Sequence, residues 1–384
     1  MPMGYDILCF SHLRWDWVYQ RPQHLLSRLA RRGHRVFFVE EPLPVEPPDG
    51  TVPSHWPDLD AEPRWETSQV APNVIRCLPW FRAAWPFFLD EAGPNTTAMR
   101  RLLRLLIEEQ ELARPVAWFY APPALPLLRT PGLRPRAIVY DCMDELALFK
   151  EAPPEMLARE EELLRLADVV FTGGRSMYEA RRGRHPNLHL FPSSVDAAHF
   201  ARALAPETVV PDDARPDPAA PTLGFYGVID ERLDLEMIDA VAARRPDWQF
   251  VFVGPTAKID ADLLPRRPNL SYPGLRPYEA LPGYLKGWDV CLMPFARNEA
   301  TRYISPTKTL EYLAADKPVV STSVRDVVTG YRGVVRIADD PDGFVAAIDA
   351  ALGESPEERR WRVAAGRAIL ARTSWDATAA RMGA

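Results

Sequence analysis

The chain has 384 residues, 47% hydrophobic and 26% charged, with a formal net charge of −6. That length suits two domains, and that composition suits a globular protein with a core. The negative balance argues against a nucleic-acid binder. In chain order, YDILCF (5–10) reads as a buried strand and is followed by the Trp-rich loop SHLRWDWVYQRP. PQHLLSRLARRGH then places Leu25, Leu26, Leu29 and Ala30 at helical spacing, with Gly33 as a stop, and RVFFVEEP is the next strand. This β-loop-α-β opening predicts a parallel, doubly wound sheet. VAWFYAPP (116–123), AIVYDCMDE (137–145), DVVFTGG and LHLFPSSVD continue as strands, with PPEMLAREEELLRLA as an amphipathic helix among them.

Residues 203–221 are rich in Pro and Asp without periodicity and read as an interdomain linker. A second α/β series follows: TLGFYGVID, WQFVFVGP, LSYPG, DVCLMPF and PVVSTSV as strands, with LDLEMIDAVAARR and YEALPGYLKGW as helices. PDGFVAAIDAALG and the tail from Glu354 read as helical. The expected organisation is a first domain over 1–202, a linker over 203–221, a second domain over 222–360 and a C-terminal helix over 361–384 packing back toward the first domain. Two such halves imply a cleft, with ligands outside the carboxyl ends of the strands.

Forty prolines are about twice the ordinary usage of roughly 5%. They gather in connections such as EEPLPVEPPDG and PDDARPDPAAP, where they stiffen loops. Cys9, Cys77, Cys142 and Cys291 form no CxxC pair, and three lie in or beside apolar runs. They read as small buried hydrophobes in a reducing compartment. No apolar run reaches the ~18 residues that span a bilayer, and no signal peptide is apparent, so a cytoplasmic location is expected.

The stretch RYISPTKTLEYLAADKPVV (302–320) carries the chemistry. Ser305 suits an N-cap and Pro306 the first helical position, with the helix running from Thr307 to about Ala315. Asp316 stands where glycine usually ends a helix, and Pro318 prevents continuation. Lys308 falls in the first turn, where the dipole is already positive, so the cation is misplaced unless an anion binds. Glu311 lies roughly 9 Å beyond Ser305 along the axis at 1.5 Å per residue. A diphosphate at the tip and a ribose diol on Glu311 would suit a nucleoside diphosphate. A surface helix with a weak Lys–Glu pair explains the same residues from the stretch alone.

In its setting, SPTKTLEYLAADKPVV resembles the retaining, GT-B-fold glycosyltransferases of family 4, matching the second half of their paired-glutamate helix over Glu311–Val320. HLFPSSVDAAHF resembles the family's element before the linker through Pro192, Val195, Asp196 and Phe200. YPGLRPYEALPGYLKGWDVCLMPF and FYGVID are similar to its second-domain runs, and LARRGHRVFFVE to its first helix-to-strand passage. The resemblance implies an α/β fold of GT-B type, with two Rossmann-like domains facing each other across a cleft. It implies an N-terminal acceptor-binding domain and a C-terminal nucleotide-sugar-binding domain. It also implies sugar transfer with retention from a nucleoside diphosphate sugar, a UDP-sugar above all, to an acceptor hydroxyl in cell-envelope or extracellular polysaccharide synthesis. The nucleotide sugar is a co-substrate, and no cofactor is implied. The family's first glutamate falls on Tyr303, with Glu299 as stand-in, and its Arg and Lys after the first second-domain strand have no match nearer than Arg232, with Arg302 and Lys308 compensating. Ser305, Pro306, Thr307, Lys308, Glu311, Gly227, Arg232, Arg302 and Tyr278 are the expected donor site.

No zinc-like cluster and no Asp-x-Asp are present, so a metal-independent reaction is expected. Asp141 and Asp144, ending a strand, are candidates to orient the acceptor or the donor sugar; Glu299 and His12 complete the catalytic set. Trp15, Asp16, Trp17 and His24 are candidate acceptor contacts, with ordinary packing the rival account of the tryptophans and of His24. Five aromatics within 80–88 precede a helix with Met99, Leu102, Leu103 and Leu106 on one face and Arg100, Arg101 and Arg104 beside it. This would suit docking on an anionic membrane at the inner face of the plasma membrane, with a lipid-linked or polysaccharide acceptor, but Glu108 and Glu109 count against it, and a core-packed helix under a covering loop accounts for the same residues better. A GT-B-fold sugar-nucleotide epimerase and a non-catalytic nucleotide-sugar binder stay open as alternatives.

Overall fold

The computed structural model describes residues 4–42, 62–81, 83, 87–150 and 152–384. The chain forms two compact units: Met1–Pro192 with Ala379–Ala384, and Ser193–Thr378.

The first unit is built on an eight-stranded sheet of β1 (Asp6–Ser11), β2 (Arg35–Glu40), β3 (Arg64–Ala71), β4 (Val74–Trp80), β5 (Val116–Phe119), β6 (Ala137–Cys142), β7 (Val169–Thr172) and β8 (Leu188–Leu190). The spatial order is β3-β4-β2-β1-β5-β6-β7-β8. All pairs are parallel except β3–β4, an antiparallel hairpin turning through Asn73 at φ 60°. The central strands read almost wholly apolar because both sheet faces are covered, as parallel sheets require. The covering helices are α1 (Arg21–Arg31), α2 (Pro94–Glu109), α3 (Glu155–Leu166) and α4 (Arg175–Arg181).

The second unit opens with α5 (Ala197–Ala201), capped by Asp196, and carries a six-stranded parallel sheet. Its strands are β9 (Thr222–Tyr226), β10 (Gln249–Val253), β11 (Leu270–Gly274), β12 (Val290–Met293), β13 (Val319–Ser321) and β14 (Val335–Ile337), in the order β11-β10-β9-β12-β13-β14. Helices α6 (Leu235–Arg244), α7 (Leu281–Gly287), α8 (Lys308–Ala314), α9 (Arg325–Tyr331), α10 (Pro341–Leu352) and α11 (Pro356–Leu370) belong to it, and α12 (Trp375–Met382) ends the ordered elements. The position where order reverses lies between β9 and β12, where an open α/β sheet binds ligands beyond its strand ends.

Residues 203–221 lie on the second unit. Lys286 Nζ donates to the carbonyls of Ala205, Pro206 and Thr208, each at 2.8 Å. Asp213 accepts from Tyr284 and Arg276, both at 2.6 Å. These bonds, from Lys286 and Tyr284 of α7 and from Arg276, hold the segment as a strap against α7.

The apolar face of α2 is in the core: Met99, Leu102, Leu103 and Leu106 are all buried. Phe81, Phe87 and Phe88 are buried as well, and Trp80 is half-buried and donates to Glu66 at 2.7 Å, so three of the four described aromatics of 80–88 pack inward; Trp85 lies outside the described residues. Arg100 donates to the carbonyls of Pro126 and Glu91, and Arg101 to Glu62 at 2.7 Å. Residues 43–50 of the Pro-rich EEPLPVEPPDG also lie outside the described residues. All four cysteines are free and buried, and burial pushes the thiols of Cys77, Cys142 and Cys291 up to about 12. Among the described residues no helix is long and apolar enough to cross a membrane.

Candidate functional site

Strand β9 is a buried apolar run that ends on Tyr226, and the chain then turns through Gly227 at φ 142°. Only glycine adopts that conformation readily. The Gly227 N–H donates to the Val253 carbonyl at 2.8 Å, and Gly254, at φ 145°, ends β10 alongside. A Cβ at 227 would lie 2.4 Å from Cε and 2.7 Å from Nζ of Lys308, so the missing side chain is replaced by a lysine from another element. Lys308 Nζ also lies 5.5 Å from the centroid of the Phe225 ring.

Lys308 is the first residue of α8. The helix is entered through Thr307, whose carbonyl accepts from Leu310 at 3.0 Å and Glu311 at 3.2 Å. Ser305 is therefore not the N-cap and Pro306 is not the first helical residue; both lie in the preceding loop. A residue before proline is pushed out of the helical region, so the turn tightens only after Pro306. The other end is as expected. Asp316 sits at φ 53° and donates its N–H to Leu313, while Lys317 donates to Tyr312, the paired bonds of a Schellman ending.

Glu311 points inward from α8 and is buried. Its Oε2 accepts from the Tyr226 hydroxyl at 2.7 Å. Burial raises its pKa, and the Lys308 charge together with hydrogen bonds from Tyr226 and Thr307 pull the other way. Burial, reinforced by the Glu311 charge, also keeps the Tyr226 phenol protonated. Gly227, Thr307, Lys308 and Glu311 thus come together at one strand end as a cation backed by a buried carboxylate.

The remaining donor candidates have other company. Arg232 is held by the Asp230 carboxylate through Nε and through Nη2 at 2.6 Å, so much of its charge is matched within its own turn. Glu299 and Arg302 pair at 3.4 Å on the surface, their side chains 70% and 59% exposed. Tyr278 stacks on His199 at 4.1 Å and 11°.

In the first unit, Asp141 is fully buried at the end of β6 and gripped by Arg21, whose Nη2 lies 2.8 Å away. Arg21 Nη1 also donates to the Phe191 carbonyl at 2.7 Å. Asp141 therefore joins α1, β6 and the end of β8 and is closed to solvent, contrary to the open strand-end position expected of it. Asp144 is half-buried in the loop after β6, and its carboxylate has no hydrogen-bond or ion-pair partner among the described residues. That loop is pinned one residue later. Arg181 makes two bonds to Glu145, at 2.7 and 2.8 Å, and also holds Glu160, which accepts from Tyr140 at 2.8 Å.

The Trp-rich loop is held from below. Glu40 accepts from the Trp15 N–H at 2.7 Å, from Arg14 at 3.1 Å and from Arg76 at 3.1 Å. Trp15 is 7% exposed and packs edge-on to Phe38, so it is a core residue and has no face for a sugar. His24 is buried against Tyr19 and Arg28, so it too packs. Asp16 is exposed and paired with Arg76 at 2.9 Å, while Trp17 and His12 are half-buried on the same loop. Sequence reading missed Tyr226 and Arg21. The signal for Tyr226 was a polar tip on an otherwise apolar strand, directly before a glycine.

Residues 220–354 match the family described as Glycosyl transferases group 1. Over 142 residues the chain is 34% identical to a putative teichuronic acid biosynthesis glycosyltransferase, TuaH, of Bacillus subtilis; the match takes in 35% of this chain and 36% of that protein. The chain thus spans about a third of that curated relative's length. Among solved structures it is similar to sucrose-phosphate synthase from Thermosynechococcus elongatus, with a TM-score of 0.71 at 16% identity over 99% of this chain and 97% of that one. It is also similar to a trehalose-6-phosphate protein from E. coli bound with UDP-2-fluoro glucose, with a TM-score of 0.66 at 14% identity over 98% of each chain. At such identities the likeness concerns the fold, which is that of the GT-B glycosyltransferases.

Proposed function

With a glycosyl transferases group 1 match over residues 220–354, we propose that this chain is a retaining, metal-independent glycosyltransferase. It moves a sugar from a nucleoside diphosphate sugar, a UDP-sugar above all, to an acceptor hydroxyl in cell-envelope or extracellular polysaccharide synthesis. The observation that carries the reading is the Gly227–Lys308–Glu311 group, with Lys308 filling the space a side chain at 227 would take. The hard step of such a transfer is departure of the diphosphate, which gathers negative charge on its oxygens. A fixed ammonium at a strand end stabilises that charge in the transition state. Glu311, behind it on α8, accepts hydrogen bonds from the ribose diol. The UDP-2-fluoro glucose bound in the E. coli structure and the teichuronic acid biosynthesis named with the Bacillus relative support the class of donor and of pathway.

Asp144 and His12 are the groups of the first unit assigned to the acceptor or the transferring sugar, with Asp16 and Trp17 on the same loop. Peripheral contact with an anionic membrane through residues 80–106 would rest on Arg101 and Arg104, about half exposed, since the apolar side of α2 faces the core.

The test is a thermal-shift titration with UDP, GDP and ADP. One of them raises the unfolding temperature, and Glu311→Ala abolishes the rise; an undiminished rise in the variant refutes the ribose assignment. Product analysis with donor alone, then donor with acceptor, separates transfer from epimerisation and from binding without turnover. Activity that is lost in EDTA and restored by Mg²⁺ or Mn²⁺ overturns metal independence.

A further inference from the structure

We propose that Tyr226 is a positioning residue: its hydroxyl fixes the Glu311 carboxylate so that the Tyr226–Glu311 pair, and not Glu311 alone, reads the 2′-hydroxyl of the nucleoside. The inference rests on the donor-site assignment above.

A glutamate carboxylate turns about a broad, roughly two-fold terminal torsion. Left to itself, Glu311 would share its position between the ribose and Lys308, three residues earlier on the same helix. The Tyr226 hydroxyl ends that freedom by donating to Oε2 at 2.7 Å. A phenol can hold a carboxylate only if it is itself immobile, and this one is. Its ring lies parallel to Phe200 at 6.2 Å, stacks on Trp288 at 6.0 Å and meets Tyr312 edge-on at 5.2 Å. Its backbone N–H reaches the Tyr312 hydroxyl only at 3.3 Å, longer than an ordinary N–H···O bond, so ring packing and not this contact holds the phenol. The pair is buried, where a hydrogen bond to a charged group is stronger and better directed than in water. Tyr226 immediately precedes Gly227, so the residue that opens room for Lys308 and the residue that aims Glu311 are neighbours on one strand end. Phosphate and ribose recognition are set by the same two positions.

The experiment is calorimetric titration of the parent, Tyr226→Phe, Tyr312→Phe and Glu311→Ala with UDP and 2′-deoxy-UDP, with GDP and ADP and their 2′-deoxy counterparts run in parallel. The parent prefers the ribonucleotide by about tenfold, the worth of one hydrogen bond to a charged group. Tyr226→Phe keeps its affinity for the deoxynucleotide within about twofold while its ribonucleotide preference falls to about twofold or less. Tyr312→Phe removes a hydroxyl from the same buried cluster, one that meets backbone and not Glu311, and keeps the tenfold preference. A Tyr226→Phe variant that discriminates like the parent overturns the proposal, and so does equal loss in Tyr312→Phe, which would mark a general packing effect. If Glu311→Ala loses ribonucleotide affinity while Tyr226→Phe keeps full preference, only the role of Tyr226 falls. If the parent binds none of the nucleotides, or Glu311→Ala binds as the parent does, the donor-site assignment falls with it.

Discussion

A Cβ atom on Gly227 would lie 2.4 Å from Cε of Lys308, so a backbone turn in one element and a side chain from another share a single volume. Gly227→Ala therefore does two things: it strains a φ of 142° and it pushes the ammonium away. The expected result is nucleoside diphosphate binding weakened by roughly tenfold or more, read by calorimetry. Unaltered affinity would show that Lys308 does not need this space.

Asp144 and Asp141 stand three residues apart and should behave oppositely. Asp144→Asn lowers kcat by roughly a hundredfold, the scale of a lost positioning contact. Its unfolding midpoint stays that of the parent, because the carboxylate has no partner among the described residues to lose. Full turnover in this variant would remove Asp144 from the site.

Arg21→Ala leaves the Asp141 carboxylate buried without its ion pair. Breaking such a pair costs about 3–5 kcal/mol, measured as a loss of unfolding free energy in urea. A loss below about 1 kcal/mol, the range of an exposed ion pair, would mean the site is wetter than its burial indicates.

Glu311 has its pKa raised above 4.5 by burial in the nucleotide-free protein. A carboxyl whose folded pKa is raised binds its proton more tightly folded than unfolded. It favours folding below the unfolded value, and that contribution is lost as pH climbs through the folded pKa. Glu311→Gln does not ionise. Its melting temperature relative to the parent should therefore rise as pH goes from about 4.5 toward neutrality. A difference that is flat with pH, or of opposite slope, contradicts the assignment.

Much of the scaffold was legible because most buried strands declare themselves as short apolar runs and loops as breaks; β14, only three residues long, was not read. The helix ending at Asp316 was legible for the same local reason: Asp-Lys-Pro cannot continue a helix. The hairpin β3–β4 was not read, since its strand RWETSQVA is largely exposed and polar and its turn is set by Asn73 alone. The start of α8 was displaced by two residues because Ser-Pro looks like a cap in sequence, whereas the helix is entered at Thr307. The long-range pairs stayed hidden. Arg21 and Asp141 are 120 residues apart and Tyr226 and Glu311 are 85 apart, and nothing local marks either partner. Trp15 shows the converse: its neighbours in sequence suggest a loop tip, yet Glu40 and Phe38 draw it into the core.

The most direct measurement is a crystal structure of the protein soaked with the nucleoside diphosphate that gives the largest thermal shift. The account predicts diphosphate oxygens within about 3 Å of Lys308 Nζ and a ribose hydroxyl within about 3 Å of the Glu311 carboxylate. Nucleotide ordered elsewhere, or bound here with its ribose turned away from Glu311, would contradict it.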